Sequence, residues 1–590
     1  MTRAIPYAIQ TARIGIPYRA LCRSSYRNPT IHTIGIRHFN IHSAANAIPV
    51  HMRKYSLFAL LFGVAGCRAW YSHQSQSENN LNNDVLAAKT NTPMGSMKHP
   101  STYPEGIKVT VGTESLSTDA LYNEEPISKR IDESGKRVLE KLTPLQATQK
   151  LRRNEESYLI GRGRGVMRYD VVQIPSNDPI EDDHSEKIIE MPYTGTDTLN
   201  QTVTSGDWMF WGVYDGHSGW TTSAKLRQVL INYVARELNS AYKNATIESS
   251  TGLPSNEAIS AAMKTGFLRL DNEIVNESVE KTFKANTKLA AAKYLTPALS
   301  GSCALLSFYD SISKLLHVAC TGDSRAILGR RDQDGKWTAS PLTVDQTGNN
   351  PDEEARIRSS HPGEEHVIRN GRVLGGLEPT RAFGDASYKW SREISEYVKE
   401  YFFGRTPSKL LQTPPYVTAE PVVSTTQILP EKGDFVVMAT DGLWEMLSNE
   451  EVVDLVGQWI QKQSEGVNGD FWKNEIKKGE KFSMPITLNI DSQNLNSQKT
   501  PIRQKQWGIK TENERFVVQD KNAATHLVRN ALGGNNSDLV SALLSLTAPY
   551  SRRYRDDLTV EVIFFGNGEN NGEVTINKEA SATKMIKSNL

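Results

Sequence analysis

Aspartates stand at the ends of several apolar runs in this sequence. Asp215 follows the run "FWGVY", Asp441 follows "FVVMAT", and Asp556 and Asp557 directly precede "LTVEVIFF". Apolar runs of this length predict buried β-strands. An ionised carboxylate is costly to bury without a partner, so each aspartate is expected where a strand gives way to a loop. Such strand ends are places where a fixed constellation of carboxylates can be built.

The order of the predicted elements favours an α+β fold. The predicted strands are 157–173, 300–310, 314–331, 434–440 and 558–565. Helical spacing of apolar residues marks 224–242 and 259–274, and 134–154 predicts a short amphipathic helix. Strands and helices come in blocks, which argues against an alternating parallel sheet. The two apolar runs on either side of Thr321–Ser324 predict a β-hairpin.

Charge and cysteine content exclude several classes of protein. The chain has 68 Lys and Arg against 67 Asp and Glu, a net charge of +1, so no overall positive field favours nucleic acid. Only Cys303 and Cys320 lie outside the N-terminal region, and neither belongs to a CxxC pair or stands beside a histidine cluster. Cysteine-based zinc binding and a disulfide framework are therefore not expected.

The N-terminal region has the composition of a targeting sequence. Its first acidic residue is Glu78, and arginine dominates the charge before it. Residues 1–45 predict a mitochondrial presequence, with a disordered basic arm as the alternative. Residues 46–71 contain the apolar stretch 55–67, which is short for a bilayer span. This stretch predicts a sorting signal or a marginal anchor in contact with the inner membrane.

Composition also divides the rest of the chain. Residues 72–133 are rich in Ser, Asn, Thr and Glu and predict a flexible linker, whereas 134–567 predicts one folded domain. Within that domain, 464–522 shows little apolar pattern and predicts a long surface insertion. Residues 568–590 predict a tail. Its end, Ser588-Asn589-Leu590, weakly resembles a peroxisomal address, with an ordinary C-terminus as the alternative.

The chemistry of the strand-end residues selects the ion. Carboxylates without cysteine or paired histidine are hard donors that suit Mg²⁺ or Mn²⁺ better than zinc, and the acidic stretch 181–183 adds to this set. Two such ions about 3.5–4 Å apart can share a water, lower its pKa and clamp a phosphoryl group. Gly216 leaves room for a main-chain oxygen to approach an ion. His217 can then protonate the leaving alkoxide, with a capping or packing role as the alternative.

Seven segments resemble motifs of the metal-dependent PPM (protein phosphatase 2C) Ser/Thr phosphatases and occur in that family's order. They are "VYDGHSGW", "SGSCALLSF", "ACTGDSRAIL", "LTVDQTGNNPDEEARI", "LGGLEPTRAFGD", "MATDGLWEML" and "RDDLTVEVIFF". Together with the leader, "NDPIEDD" and "GGLEPTRAFGD" most closely resemble the mitochondrial pyruvate dehydrogenase phosphatase branch. The resemblance covers roughly residues 163–566. It implies a PPM-type α/β/β/α sandwich, in which two antiparallel sheets pack face to face with helices outside and the metals at one edge.

The resemblance also implies roles for individual residues. The implied ligands of Mg²⁺ or Mn²⁺ are Glu181, Asp215, Gly216, Asp323, Asp441 and Asp556. Among them, Asp215 is implied to bridge two ions, and Asp323 to hold a weaker third ion. His217 matches the general acid of the family, and Asp182 stands beside the metal-binding Glu181.

One position departs from the family pattern. Many relatives have an arginine four residues before the metal-binding glutamate, where it grips phosphate in bidentate fashion. Here that position is Asn177. The pyruvate dehydrogenase phosphatase branch resembles this chain in carrying Asn there, so phosphate binding is expected to depend more on the metals. Arg372 and Arg381, in the glycine-rich stretch, are candidates to compensate.

The predicted function is hydrolysis of phosphoserine and phosphothreonine by a water that two metal ions activate. The resemblance implies that the substrate is the phosphorylated E1 subunit of pyruvate dehydrogenase and that the enzyme works inside mitochondria. The matrix is favoured, with the inner membrane and the intermembrane space as alternatives. A pseudophosphatase that uses the same fold for binding or regulation is the competing interpretation. The insertion 464–522 is a candidate docking or regulatory surface.

Overall fold

The computed structural model describes residues 108–111, 137–196, 202–248, 252–465, 515–568 and 570–582. The predicted presequence 1–45, the segment 46–71 and the C-terminal residues 588–590 lie outside these ranges, as does the predicted insertion except for its two ends. Among the helices that are described, none combines the length and the apolar character needed to cross a bilayer.

The described strands follow the chain from residue 108 to residue 576. They are β1 Lys108–Val111, β2 Arg137–Glu140, β3 Glu155–Arg162, β4 Val166–Ile174, β5 Asp183–Thr196, β6 Thr202–Tyr214, β7 Gly216–His217, β8 Gly301–Ser302, β9 Ala304–Asp310, β10 Leu315–Thr321, β11 Arg325–Arg331, β12 Trp337–Pro341, β13 Ile368–Arg369, β14 Arg372–Val373, β15 Phe383–Gly384, β16 Val422–Gln427, β17 Phe435–Ala439, β18 Leu558–Phe565 and β19 Asn570–Ile576.

The longer strands form two antiparallel sheets. The five-stranded sheet has the order β16-β10-β9-β6-β5, and the seven-stranded sheet has the order β12-β11-β17-β18-β4-β3-β19. The short strands β7, β8 and β15 form a small sheet of their own beside the end of β6. As a result, β5 is an edge strand, whereas β18 lies in the interior of its sheet.

The described α-helices lie mainly in two stretches, before β8 and after β17. They are α1 Pro144–Arg152, α2 Thr221–Glu248, α3 Asn256–Asn272, α4 Ser278–Ala285, α5 Lys288–Tyr294, α6 Thr296–Leu299, α7 Pro351–Ser360, α8 Arg392–Tyr401, α9 Asp441–Trp444, α10 Asn449–Glu465, α11 Ala523–Ala531 and α12 Ser537–Ser545.

Local sequence sets where the first helix begins. Thr143 caps α1, because its side chain accepts a hydrogen bond from the Gln146 amide while the Gln146 side chain accepts one from the Thr143 amide. Pro144 occupies the first helical position, where its missing N–H costs nothing. The helix is therefore shorter than the predicted 134–154, and Arg137–Glu140 pairs with β1 as a strand instead.

Three apolar clusters separate the fold into four layers. The first combines side chains of both sheets, such as Trp211 and Val436, and so lies between them. The second joins the five-stranded sheet to α2 and α3 and includes Leu230 and Phe267. The third joins the seven-stranded sheet to α10, α11 and α12 and includes Trp459. This layering confirms the predicted α+β class and the α/β/β/α sandwich.

The predicted hairpin at Thr321–Ser324 is wrong. The strand β10 pairs with β9 and β16 in the five-stranded sheet, whereas β11 pairs with β12 and β17 in the seven-stranded sheet. Local apolar pattern cannot separate a hairpin from a crossing between two packed sheets, because each consists of two strands and a short turn. The crossing places Asp323 in the segment that passes from one sheet to the other.

Some segments that composition assigned to the tail and the insertion are ordered. The strand β19, from the predicted tail, pairs with β3 at the edge of the seven-stranded sheet. Asp520, from the C-terminal end of the predicted insertion, forms an ion pair of 2.6 Å with Arg529, and its carbonyl accepts a hydrogen bond from Trp459 Nε1 at 2.9 Å. These segments are polar in sequence, but they are ordered because their partners belong to the folded domain.

Candidate active site

Three of the predicted metal ligands meet at one edge of the sandwich. Asp215 follows β6, Asp323 lies in the crossing from β10 to β11, and Asp441 begins α9 after β17. One carboxylate oxygen from each lies within 4.8 Å of the other two. The Asp441 amide also donates to Asp215 Oδ2 at 3.4 Å, and the Cys303 thiol donates to Asp323 Oδ1 at 3.3 Å.

The electrostatics of this group favour a bound cation. Burial raises the pKa of Asp215 well above its usual value, and the neighbouring carboxylates of Asp441 and Asp323 raise it further. Close, buried carboxylates repel one another unless positive charge separates them. Since all the donors are oxygen atoms, the group fits a hard divalent ion such as Mg²⁺ or Mn²⁺.

Gly216 has a packing role that the sequence did not reveal. A Cβ atom at this position would lie 2.0 Å from the Glu181 carbonyl oxygen. The same carbonyl accepts a hydrogen bond from Ser223 Oγ at 2.5 Å. Glycine is therefore required for the loop that carries Glu181 to pack against the end of β6.

Glu181 and Asp556 lie outside the group of three aspartates. Arg552 forms an ion pair with Asp556, and its side chain is 47% exposed. The Glu181 carboxylate accepts a hydrogen bond from the Gly219 amide, and burial raises its pKa while the positive field of Arg552 opposes that rise. These two predicted ligands thus share an arginine neighbour.

Asn177 is turned toward an aspartate. Its side-chain amide donates to Asp557 Oδ2 at 3.0 Å, and its backbone amide donates to Asp557 Oδ1 at 2.9 Å. The Glu181 amide also donates to Asp557, at 3.0 Å. Asp557, to which sequence analysis gave no role, therefore anchors the loop that delivers Glu181.

The next residue, Asp182, is held in place from β18. The residue is 4% exposed, and its carboxylate accepts a hydrogen bond of 2.8 Å from Thr559 Oγ1. Burial raises its pKa well above the usual value, and the charges of Asp215 and Asp557 add to the shift. Asp182 therefore connects the start of β5 to the start of β18, within the electrostatic influence of Asp215.

His217 has a partner that sequence analysis missed. Its Nε2 lies 2.6 Å from Asp385 Oδ2. Burial lowers the pKa of His217, but Asp385 outweighs it, and Asp215 and Asp323 add to the rise, so the pKa reaches about 9. Gly301 leaves room for this pair, because a Cβ there would lie 2.1 Å from His217 Nε2. The only sequence signal for Asp385 is its place at the end of the motif "GGLEPTRAFGD".

The two arginines suggested to compensate for Asn177 form ion pairs with glutamates instead. Arg381 Nη2 lies 2.6 Å from Glu353 Oε1, and Arg381 Nη1 donates to the Glu420 carbonyl at 2.8 Å. Arg372 Nη2 lies 2.6 Å from Glu378 Oε2. Spacing along the chain could not reveal these pairs.

Comparison with known proteins identifies the family. The family model described as protein phosphatase 2C matches residues 188–479. Over 517 residues the chain is 40% identical to the mitochondrial pyruvate dehydrogenase (acetyl-transferring) phosphatase 1 of Saccharomyces cerevisiae, covering 85% of this chain and 84% of that protein. It is 44% identical over 419 residues to a protein phosphatase 2C homolog of Schizosaccharomyces pombe, covering 71% and 84%. It is 30% identical over 492 residues to the human pyruvate dehydrogenase phosphatase 1, covering 72% and 83%.

These matches place the chain in the protein phosphatase 2C family. The sandwich of two antiparallel sheets, with carboxylates grouped at one edge, agrees with that assignment. The chain is therefore a protein serine/threonine phosphatase.

Proposed function

We propose that this enzyme uses divalent ions held by Asp215, Asp323 and Asp441, with Glu181, the Gly216 carbonyl and Asp556 as further ligands. The observation that carries the proposal is the group of three aspartates whose oxygens lie within 4.8 Å of one another. When bound, Mg²⁺ or Mn²⁺ supplies the positive charge that activates water and stabilises a phosphoryl group. The aspartates hold this charge at the edge of the sandwich, where the strands end.

His217 acts as the general acid in this proposal. The leaving serine or threonine oxygen needs a proton as the P–O bond breaks, and an imidazolium at the edge of the site can donate it. Asp385, at 2.6 Å, orients the ring and favours its protonated form. The pair thus holds the proton ready before the substrate binds.

Arg552 is our candidate for the phosphate contact that Asn177 does not provide. Its guanidinium pairs with Asp556, and its positive charge also acts on Glu181, so it lies near two proposed metal ligands. The side chain is 47% exposed, which leaves it accessible to a phosphoprotein. Guanidinium groups bind phosphate through two parallel hydrogen bonds.

The names of the relatives supply the proposed substrate. Two of them act on pyruvate dehydrogenase and are mitochondrial. We therefore propose that this phosphatase dephosphorylates the E1 subunit of pyruvate dehydrogenase inside mitochondria, in agreement with the acid-free leader of the sequence. The proposal does not extend to the predicted membrane contact or the peroxisomal address, since the relatives' names give neither of them.

Phosphate release from a chromogenic phosphate ester tests the proposal directly. We expect turnover with Mn²⁺ or Mg²⁺, loss of turnover after chelation, and no turnover for Asp215→Asn at any metal concentration. Asp441→Asn should recover partly at high Mn²⁺. Asp334→Asn, in an exposed turn, is the matched control and should behave as wild type. Full turnover after chelation would overturn the metal mechanism, and an inactive wild type that still binds phosphorylated E1 would support the pseudophosphatase interpretation.

A further inference from the structure

A second group of side chains with metal-ligand chemistry lies between the two sheets. It consists of His184 and Glu186 on β5 and Glu561 on β18. One ligand atom from each lies within 4.8 Å of the other two. His184 Nδ1 is 2.6 Å from Glu186 Oε1 and 4.0 Å from Glu561 Oε1. None of these residues belongs to the catalytic group described above.

Glu561 occupies a position where the strand pattern calls for an apolar residue. Ile563 and Phe565, which follow it at alternate positions along β18, belong to the apolar cluster between the sheets. The Glu561 side chain is fully buried, and neither of its carboxylate oxygens accepts a hydrogen bond from a donor group. Burial raises the pKa of Glu561 well above its usual value, and the neighbouring Glu186 carboxylate raises it further. Burial of a carboxylate without a hydrogen bond or an opposite charge is strongly unfavourable. The position therefore requires either a proton or a cation.

The Trp211 ring nitrogen is a second buried polar atom in the layer between the two sheets. Trp211 lies opposite Glu186 in the register of β5 and β6, so the two side chains share a face of the sheet. The Trp211 ring N–H is buried and has no acceptor. An N–H donor for a water ligand is therefore present on the face that carries His184 and Glu186.

We propose that His184, Glu186 and Glu561 form a second metal site that binds one Zn²⁺ between the sheets. Zinc takes imidazole nitrogen and carboxylate oxygen at about 2.0–2.2 Å, so the ligands of one ion lie at most about 4.4 Å apart. The observed limit of 4.8 Å is close to this value. When the ion binds, the hydrogen bond between His184 and Glu186 is replaced by two metal–ligand bonds.

Charge and access agree with this site. The two glutamates offer two negative charges to a divalent ion, and Arg227, a positive charge that acts on His184 and Glu186, is paired with Asp183 at 3.0 Å. The Glu186 side chain is 18% exposed, and β5 is the edge strand of its sheet. An ion can therefore enter from the edge without passing through the apolar layer.

The donor set distinguishes this site from the catalytic one. An imidazole ligand favours a transition metal, whereas the all-oxygen catalytic group favours Mg²⁺ or Mn²⁺.

The site also connects the two strands that begin beside the catalytic carboxylates. Thr559 on β18 already bonds Asp182, just before β5, at 2.8 Å. A zinc ion at this position would reinforce the same connection and stabilise the catalytic edge.

A proton is the competing occupant. If Glu561 is protonated, it donates a hydrogen bond to Glu186, which in turn pairs with a protonated His184. In that case Glu561→Gln keeps a neutral donor at the same position and leaves stability unchanged. If zinc is the occupant, Glu561→Gln removes a charged ligand and abolishes the effect of zinc.

A zinc-binding measurement on the purified full chain distinguishes a bound zinc ion from a proton on Glu561. After chelation, equilibrium dialysis against Zn²⁺ should show one more ion per chain for wild type than for His184→Gln or Glu561→Gln. Zn²⁺ should raise the melting temperature of wild type by a few degrees and leave that of the two variants unchanged. Glu573→Gln, on the exposed strand β19, is the matched control and should follow wild type.

Two outcomes would overturn the proposal. Equal zinc binding by wild type and Glu561→Gln would exclude the site, and equal melting temperatures of the two proteins in the presence of Zn²⁺ would assign the position to a proton. If either core variant fails to fold, Glu186→Gln at the partly exposed rim provides the same comparison. Neither measurement depends on turnover, so failure here is distinct from failure of the proposed catalytic mechanism.

Discussion

At the scale of single residues, the candidate site is built from pairs that are remote in sequence. His217 and Asp385 are separated by 168 positions, and Asn177 and Asp557 by 380. In each pair one member was recognised from a motif and the other was not assigned a role. The unassigned member orients or anchors the recognised one, so both should affect turnover.

The first prediction concerns His217 and Asp385. His217→Ala should lower turnover roughly 10²-fold, the lower range for loss of a general acid, while metal affinity is retained. The loss should be smaller for esters whose leaving group is acidic, because such groups need less protonation. Asp385→Asn should show the same dependence on the leaving group with a smaller loss. Equal losses for all esters would assign His217 to packing instead of proton transfer.

The second prediction concerns Arg552. If it holds phosphate, Arg552→Ala should lower kcat/KM by about 10- to 100-fold, since a hydrogen bond to a charged group contributes about 1.5–3 kcal/mol. Arg552→Lys should recover part of this loss. Arg553→Ala is the matched control. It removes the adjacent arginine, whose guanidinium lies over the Tyr550 ring at 5.9 Å from the ring centroid. The role would be excluded if the inhibition constant for inorganic phosphate and the KM for substrate were both unchanged.

At the scale of elements, buried ion pairs hold the connections that surround the site. Glu353 on α7 bonds Arg381 at 2.6 Å, Arg356 at 2.7 Å and Thr380 at 2.7 Å. Burial raises the pKa of Glu353, but hydrogen bonds from Arg381 and Arg356 outweigh it and lower the pKa to about 2. The glycine-rich stretch that leads to Asp385 is thereby fixed to α7.

The third prediction follows from this pKa. Because the folded-state pKa lies below the usual 4.5, the stabilisation is complete above about pH 4.5 and is lost as the pH falls toward 2. Glu353→Gln should lower stability at pH 7 by about 3 kcal/mol. The difference in melting temperature from wild type should begin to shrink below about pH 4.5. Glu354→Gln, which removes only an exposed pair with Arg358, should cost less than about 0.5 kcal/mol.

At the scale of the whole molecule, the two sheets carry the candidate site at one edge, while residues 466–514 of the predicted insertion lie outside the described residues. The C-terminal end of the insertion is nevertheless part of the folded domain, because Asp520 pairs with Arg529 and accepts from Trp459. A deletion that follows the predicted limits 464–522 would remove these bonds. The limits 466–514 would retain them.

The fourth prediction uses those limits. Replacing 466–514 by a flexible Gly-Ser linker should spare hydrolysis of a small ester and reduce that of phosphorylated E1, if the insertion docks the substrate. A second variant, lacking 464–522, should lose stability and both activities. Parallel assays of the two substrates, with melting curves for each variant, make the comparison. Equal losses on both substrates in the shorter deletion would make the insertion structural.

The sequence by itself determined the fold class and the strand ends that carry the aspartates, whereas the metal ligands and the role of His217 as general acid stay predictions. Strand ends at Asp215 and Asp441 follow from apolar patterning, which is local, and hard oxygen donors follow from residue type. Tertiary structure decided what patterning cannot encode. It turned the expected hairpin at Asp323 into a crossing between sheets, and it brought Asp385 to His217. Contacts of this kind join residues far apart along the chain, and only the packing of the two sheets determines which of them meet.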